Sequence, residues 1–407
     1  MQRKRSLGQR TILLAAILLA TALAAAGEDT LKIGILTSLT GALAPYGPPI
    51  ANGALLAIQQ INAAGGILGK SLQLVIADDG TSPDVGRSAA SKLVEIDGVS
   101  AIIGALSSGV TLAVSSVTIP AEVVLISPAS TAPSIPALND NDFVFRTVVS
   151  DEVQGVVMAR LALLLGHRTA SILFVNNDYG KGLADTFKAT FEALGGQVIK
   201  ASPYEENKPS YRGEVESLLM GSPDVFVVIG YPVDGNKQVV EAIEAGYQGK
   251  FLFSDGMKGE GVAPGPACAS AAEPGPIEGG YGTVAASGFR AAQFDADFAT
   301  AFGPSTVPYN YNAYDAAMLI ALAMLRAGET SGPAIRDSLR AVANPPGEPI
   351  YYGEWAKAVA LLKAGKDIDY QGVSGLVDFK DSGDVAGGIL IWMIQDCQVQ
   401  EVMEAAG

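Results

Sequence analysis

Two groups of residues in this 407-residue chain could hold the opposite charges of one small molecule. The first is rich in hydroxyls. It comprises Thr37-Ser38-Leu39-Thr40-Gly41, then Gly104-Ala105-Leu106-Ser107-Ser108-Gly109, then Ser127-Pro128-Ala129-Ser130-Thr131-Ala132. Each segment follows a short apolar run and precedes a helix or helical turn, where free backbone N–H groups and the helix dipole favour an anion; a carboxylate suits such a surface. The second group pairs one acid with aromatic rings: Asn176-Asn177-Asp178-Tyr179-Gly180, Gly230-Tyr231-Pro232 and Ser254-Asp255-Gly256. An ammonium would find both a carboxylate and ring faces there. Each residue also has a plainer reading. Ser108 and Thr131 are good helix N-caps, Asp255 fits a turn before Gly256, and Tyr179 and Tyr231 fit as packed rings with wet hydroxyls.

Catalytic chemistry finds little support. His167, the sole histidine, lies in Gly166-His167-Arg168 between a helix and a strand, at the wrong end of a sheet for a site. No Gly-x-Ser-x-Gly elbow, phosphate loop or dinucleotide glycine fingerprint is present. The adjacent acids Asp78-Asp79 and Glu205-Glu206 read as solvated loop or strand ends. One histidine and two cysteines make a zinc or copper site improbable, and neither metal nor cofactor is expected.

The elements that must position these groups alternate β-branched apolar runs with helical patterns, the signature of parallel sheets covered on both faces. Strands are predicted at 31–37, 72–77, 101–103, 123–126, 171–175, 198–200, 225–229 and 251–253, with helices between them. In doubly wound sheets a ligand binds beyond the carboxyl ends of the strands, and every segment named above follows such a run. After Phe253 the alternation lapses into a Gly/Pro/Ala-rich stretch, Gly256 to Gly282. Helices then resume, and two late strands at 375–379 and 389–394 flank Asp381-Ser382-Gly383-Asp384, a turn or hinge sequence.

Bulk composition narrows the class further. Arg3, Lys4, Arg5 and Arg10, the apolar run Ile12 to Leu23, and Ala24-Ala25-Ala26 read as a cleavable export signal over residues 1–26. The remainder is enough for two domains, with an ordinary globular composition of 49% apolar and 17% charged residues. A net charge of −15 without a dense basic run argues against nucleic acid. In an oxidising compartment Cys268 and Cys397 are either bonded to each other or two separate buried thiols.

Several stretches together resemble the leucine/isoleucine/valine-type periplasmic binding proteins of ABC transporters, with the type I periplasmic-binding fold. They are Ile33 to Gly47 with Thr40-Gly41 and Tyr46-Gly47, Ile61 to Ile67, Asp78-Asp79, Gly104 to Ser108, Ile126 to Ala132 and Asp178-Tyr179-Gly180. The resemblance implies two doubly wound α/β lobes joined by a three-strand hinge. It places residues 27–150 plus 283–384 in one lobe and 151–282 plus 385–407 in the other. It implies that Ser108, Thr131 and the Ala129 backbone, with Ser107 and Ser130 in the same loops, hold a ligand carboxylate. It matches Asp255 to the acid receiving an α-ammonium, and sets Tyr46, Tyr179, Tyr231 and Tyr314 around the pocket. Asp255 is shorter than the glutamate usual in branched-chain binders, which bears on which ligand fits. The resemblance also puts Cys268 and Cys397 in one lobe, where a bond would leave the hinge free. The implied function is a monomeric periplasmic carrier, not an enzyme, that hands a small amino acid to ABC permease subunits. A binder of an amide, urea or aromatic acid, a ligand-sensing receptor subunit and a hydrolase are the alternatives.

Overall fold

The computed structural model of the protein describes residues 30–259 and 275–406. The expected export signal over residues 1–26 lies outside the described residues, as do Cys268 and most of the Gly256–Gly282 stretch. Among the described residues no helix is long and apolar enough to cross a membrane.

Strands β1 (Thr30–Thr37), β2 (Ser71–Asp78), β3 (Ala101–Ile103), β4 (Val124–Ser127) and β5 (Val144–Arg146) form a parallel sheet in the order β2-β1-β3-β4-β5. Helices α1 (Gly47–Ala63), α2 (Pro83–Ser91) and α3 (Ser108–Thr118) connect the first four strands; α2 winds on as a wider π-turn over Lys92–Asp97. Fully buried runs such as Ala101–Ile103 and Val124–Ser127 are what a sheet covered on both faces requires.

The chain then enters a second sheet. Here α4 (Asp151–Leu164), α5 (Asp178–Ala193), α6 (Arg212–Leu219) and α7 (Pro232–Glu244) alternate with β6 (Thr169–Val175), β7 (Gln197–Tyr204), β8 (Val225–Ile229) and β9 (Lys250–Phe253), and β10 (Tyr281–Ala285) follows. Next come α8 (Ala291–Phe302), α9 (Asn310–Ala327), α10 (Gly332–Ala343) and α11 (Trp355–Lys363), of which α8 and α9 pack on α1 of the first lobe. A small sheet of β11 (Glu348–Ile350), β12 (Ile368–Gly372) and β13 (Gly375–Leu376) accompanies them. Finally β14 (Ile389–Gln395) and β15 (Gln398–Ala405) return to the second sheet, whose order is β15-β14-β10-β9-β8-β6-β7. The chain thus passes between the sheets three times, after Arg146, after Ala285 and before Ile389.

The sequence patterns missed β5, β10, β11, β12 and β15 and overextended the strand expected at 375–379, which pairs only at Gly375–Leu376. β15 carries mostly exposed residues because it is an edge strand, so no apolar alternation marks it. Cys397, between β14 and β15, is buried and disulfide-bonded.

Arg146 closes the first sheet and is 0% exposed. Its Nε and Nη2 donate to Asp384 Oδ1 and Oδ2 at 2.7 and 2.9 Å, and its Nη1 donates to the carbonyls of Ser130 and Ala132 at 3.2 and 3.0 Å. The Arg146 N–H donates to the Gly383 carbonyl at 3.1 Å. One guanidinium therefore ties the exit strand, the third crossing and the 130–132 loop together.

The lobes themselves meet face to face. An added Cβ at Gly182, inside α5, would lie 2.6 Å from Cδ of Pro133 in the first lobe, so this contact is open to glycine alone.

Two outcomes are expected. Asp384→Ala leaves the Arg146 charge buried without a partner and lowers the free energy of unfolding by about 3–5 kcal/mol in urea titrations, while an apolar replacement of both residues recovers part of that loss. Gly182→Ala favours helix α5 by about 1 kcal/mol in isolation, yet wedges the lobes apart; solution scattering is expected to show a larger radius of gyration with no loss of thermal stability.

Candidate functional site

The carboxyl ends of both sheets face one cavity. The first lobe contributes Leu43, Tyr46, Ile50, Leu106, Ser107, Ser108, Ala129 and Tyr309, and the second contributes Tyr179, Tyr231, Asp255 and Gly256. The space it encloses in this closed form is about 30 Å³. Among the described residues no Lys, Arg or His lines it.

One end is acidic. Asp255 opens a short 3₁₀ turn directly after β9 and is 3% exposed. Its Oδ1 accepts from the Tyr179 hydroxyl at 2.6 Å and from Gln154 Nε2 at 3.0 Å, and its Oδ2 accepts from the Tyr309 hydroxyl at 2.5 Å. A carboxylate offers about four acceptor positions, so one on Oδ2 remains for a further donor. Burial first, and then the Asp255 charge, push the phenols of Tyr46, Tyr179 and Tyr309 well above their usual pKa, so they act as neutral donors. Tyr179 stacks on Tyr231 with centroids 5.8 Å apart and planes 13° from parallel, and both rings wall the cavity.

A second carboxylate stands beside the first. Asp151, the first residue of α4, is 0% exposed; its Oδ2 accepts from the Thr131 hydroxyl at 2.8 Å and its Oδ1 has no partner among the described residues. Burial, followed by the charge of Asp255, raises its pKa well above the usual carboxylate range. Gln154, one turn further along the same helix, is the residue that reaches Asp255.

The opposite end is made of neutral donors. Ser107 is the N-cap residue of α3 but makes no capping bond, and it lines the cavity with Tyr231 of the other lobe. Ser108 Oγ accepts the Ala132 N–H at 3.1 Å, which leaves its proton free to donate. The N-terminal N–H groups of α3 lack partners within the helix and carry the positive end of its dipole. An anion between Ser107, Ser108 and Ala129 is favoured there without a basic residue.

The cleft is closed. The Tyr46 hydroxyl lies 2.8 and 3.1 Å from the carbonyls of Gly256 and Lys258 in the other lobe, and the Tyr309–Asp255 and Thr131–Asp151 bonds also cross. Behind Tyr231, Asn177 Nδ2 donates to its hydroxyl at 3.2 Å, and the neighbouring Glu206 is pushed up to about 7 by burial and by Asp234.

Of the expected site residues, Tyr46, Ser107, Ser108, Ala129, Tyr179, Tyr231 and Asp255 converge on the cavity. Three do not line it. Ser130 Oγ lies 2.8 Å from Thr111 Oγ1 and 3.2 Å from the carbonyls of Ala105 and Leu106, so it braces two loops against each other. Thr131 caps no helix among the described residues, and its hydroxyl donates to Asp151 in the other lobe. Tyr314 donates to Gln60 at 2.6 Å within an aromatic cluster with Phe294 and Tyr352, in the interior of the first lobe.

Tyr309 fills the place expected of Tyr314. It precedes α9 at a φ of 76°, and α9 starts close to α1 because an added Cβ at Gly53 would sit 2.1 Å from the Asn310 carbonyl. Sequence reasoning missed Tyr309, Asp151, Gln154 and the apolar wall of Leu43, Ile50 and Leu106. Position immediately after the first crossing was the available signal for Asp151, and a tyrosine at a helix start, in Pro308-Tyr309-Asn310, was the signal for Tyr309.

Residues 30–363 match the family described as periplasmic binding protein. A chemotactic signal transduction system substrate-binding protein of Halobacterium salinarum is 29% identical over 382 residues, which cover 88% of this chain and 87% of the relative. The leucine-, isoleucine-, valine-, threonine-, and alanine-binding protein of Pseudomonas aeruginosa is 29% identical over 314 residues, 77% of this chain and 83% of its own. Among solved structures, the branched-chain amino acid transporter substrate binding protein of Streptococcus pneumoniae, in complex with isoleucine, aligns with a TM-score of 0.76 at 24% identity, covering 92% of this chain and 100% of that one. With both doubly wound lobes, the three crossings and the interlobe cavity in place, the chain belongs to the periplasmic binding protein family, of the leucine/isoleucine/valine type.

Proposed function

We propose that this protein is an exported carrier that binds a small aliphatic α-amino acid between its lobes and delivers it to an ABC permease. The observation that carries the reading is the buried acid Asp255, set opposite neutral hydroxyl and N–H donors in a cavity that no basic side chain among the described residues lines. A zwitterion satisfies both ends at once: its ammonium meets Asp255 beside the Tyr179 and Tyr231 rings, and its carboxylate meets Ser107, Ser108 and the Ala129 backbone. The apolar wall of Leu43, Ile50 and Leu106 then receives the side chain. The amino acids in the name of the Pseudomonas aeruginosa relative agree with that wall. The export segment over residues 1–26 and a monomeric state complete the proposal.

A ligand drives closure only through contacts that the open form lacks. Because Asp255 belongs to one lobe and the hydroxyl loops to the other, the ammonium contact supplies that difference. A second reading, a ligand-sensing subunit for a chemotaxis receptor, is favoured by the name of the Halobacterium salinarum relative. Uptake of labelled amino acid by cells lacking this protein separates the two, since only a carrier is needed for transport.

Denaturing the purified protein and identifying the released small molecule by mass spectrometry tests the ligand class directly; a compound without an amino group would overturn the reading. In calorimetry, Asp255→Ala is expected to weaken amino-acid binding tenfold or more, from the ~1.5–3 kcal/mol of a charge-assisted hydrogen bond. Tyr309→Phe removes a donor that crosses the cleft and is expected to cost about fivefold, near 1 kcal/mol. Tyr314→Phe is expected to leave affinity unchanged.

A further inference from the structure

We propose that the wall formed by Leu43, Ile50 and Leu106 limits the bound amino acid to one whose side chain is a hydrogen or a methyl group, so that glycine and alanine bind in preference to valine, leucine and isoleucine. The inference rests on the amino-acid reading given above and adds to it a size limit and the residues that set it.

The enclosed space is the first ground. In the closed form it is about 30 Å³, and a space of roughly 10–15 Å³ holds one water. The charged ends of an amino acid, reaching from Asp255 to Ser107 and Ser108, take up that room and leave none for a branched side chain. Neither end can draw back. Asp255 is fixed by Tyr179, Tyr309 and Gln154, and Gln154 Nε2 also donates to Thr283 Oγ1 at 3.0 Å. Ser108 Oγ is fixed by the Ala132 N–H.

The wall is equally constrained. Leu43, Ile50 and Leu106 are buried members of one continuous apolar core with Ala54, Ile103 and Ile126. A core at native density admits extra carbon atoms only by forcing side chains off their rotamers or shifting backbone. Of the amino acids named for the Pseudomonas aeruginosa relative, alanine alone meets the limit.

Less complete closure is no remedy for a large ligand. At the edge of the cleft the lobes touch through glycines: an added Cβ at Gly182 would lie 2.6 Å from Pro133 Cδ, and one at Gly109, in the first turn of α3, 3.1 Å from Asp178 Oδ2 at the start of α5. Contact this close is the limit of closure, and the Tyr46 bonds to the Gly256 and Lys258 carbonyls and the Tyr309–Asp255 bond are made there. A side chain that props the lobes apart forfeits those bonds.

The test is calorimetric titration of the purified protein with glycine, alanine, valine, leucine and isoleucine. Alanine or glycine is expected to bind about tenfold or more tightly than leucine or isoleucine, the discrimination that misplaced methylenes give in an apolar pocket. Ile50→Ala and Leu106→Ala enlarge the wall and are expected to shift the leucine-to-alanine affinity ratio about tenfold toward leucine. Should either variant fail to melt cooperatively, Ile50→Val, one methylene smaller, takes its place with a shift in the same direction. Valine, leucine or isoleucine binding the unaltered protein as tightly as alanine and glycine overturns the proposal, as does a ratio that stays unchanged in the folded variants. Absence of binding by all five amino acids overturns the amino-acid reading itself, an outcome distinct from tight binding of the larger ones.

Discussion

The buried ion pair between Arg146 and Asp384 is the constraint on which the rest of the molecule depends. A guanidinium out of water is tolerated only when every donor is engaged, and here all three nitrogens find partners. The partners come from separate parts of the chain: the third crossing, and the loop that carries Ser130 and Ala132. Pinning that loop places Thr131 against Asp151 and the Ser108 acceptor under the Ala132 N–H. The pair therefore sets the geometry from which hinge and binding loops both take their positions.

That commitment has an electrostatic consequence. With Arg146 paired to Asp384, no basic side chain among the described residues lines the cavity that holds Asp255. The surrounding phenols and amide orient donors at Asp255 but cannot cancel it. On the function proposed above, closure is favoured by the ligand's positive charge and the hydroxyl end receives its anion. The proposed selectivity for a zwitterion then comes from the separation of these two ends onto different lobes, since neither lobe alone completes the cavity.

The residues that behaved differently from expectation share a cause. Ser130 and Thr131 sit in a hydroxyl-rich loop where any member could face the ligand, and only the placement of Arg146 and Asp151 decides that one braces and the other supports the acid. Tyr314 and Tyr309 lie within a turn and a half of one helix start. Helical rotation turns the first toward Gln60 and the aromatic interior, and leaves the second, before the helix with a left-handed backbone, to cross the cleft.

By itself the sequence determined the α/β alternation, most of the parallel strands and the helices between them, because short β-branched runs and 3.6-residue periodicities are local signals. It also determined the chemical sorting of hydroxyl loops from the acid with its rings, because the carboxyl ends of strands are identifiable once the strands are. Only the tertiary structure decided that Asp151 joins Asp255, that Tyr309 replaces Tyr314, and that Arg146 is spent on Asp384. Those pairings join residues dozens to hundreds of positions apart across three chain crossings, and no local pattern encodes which side chain will face which partner once the lobes close.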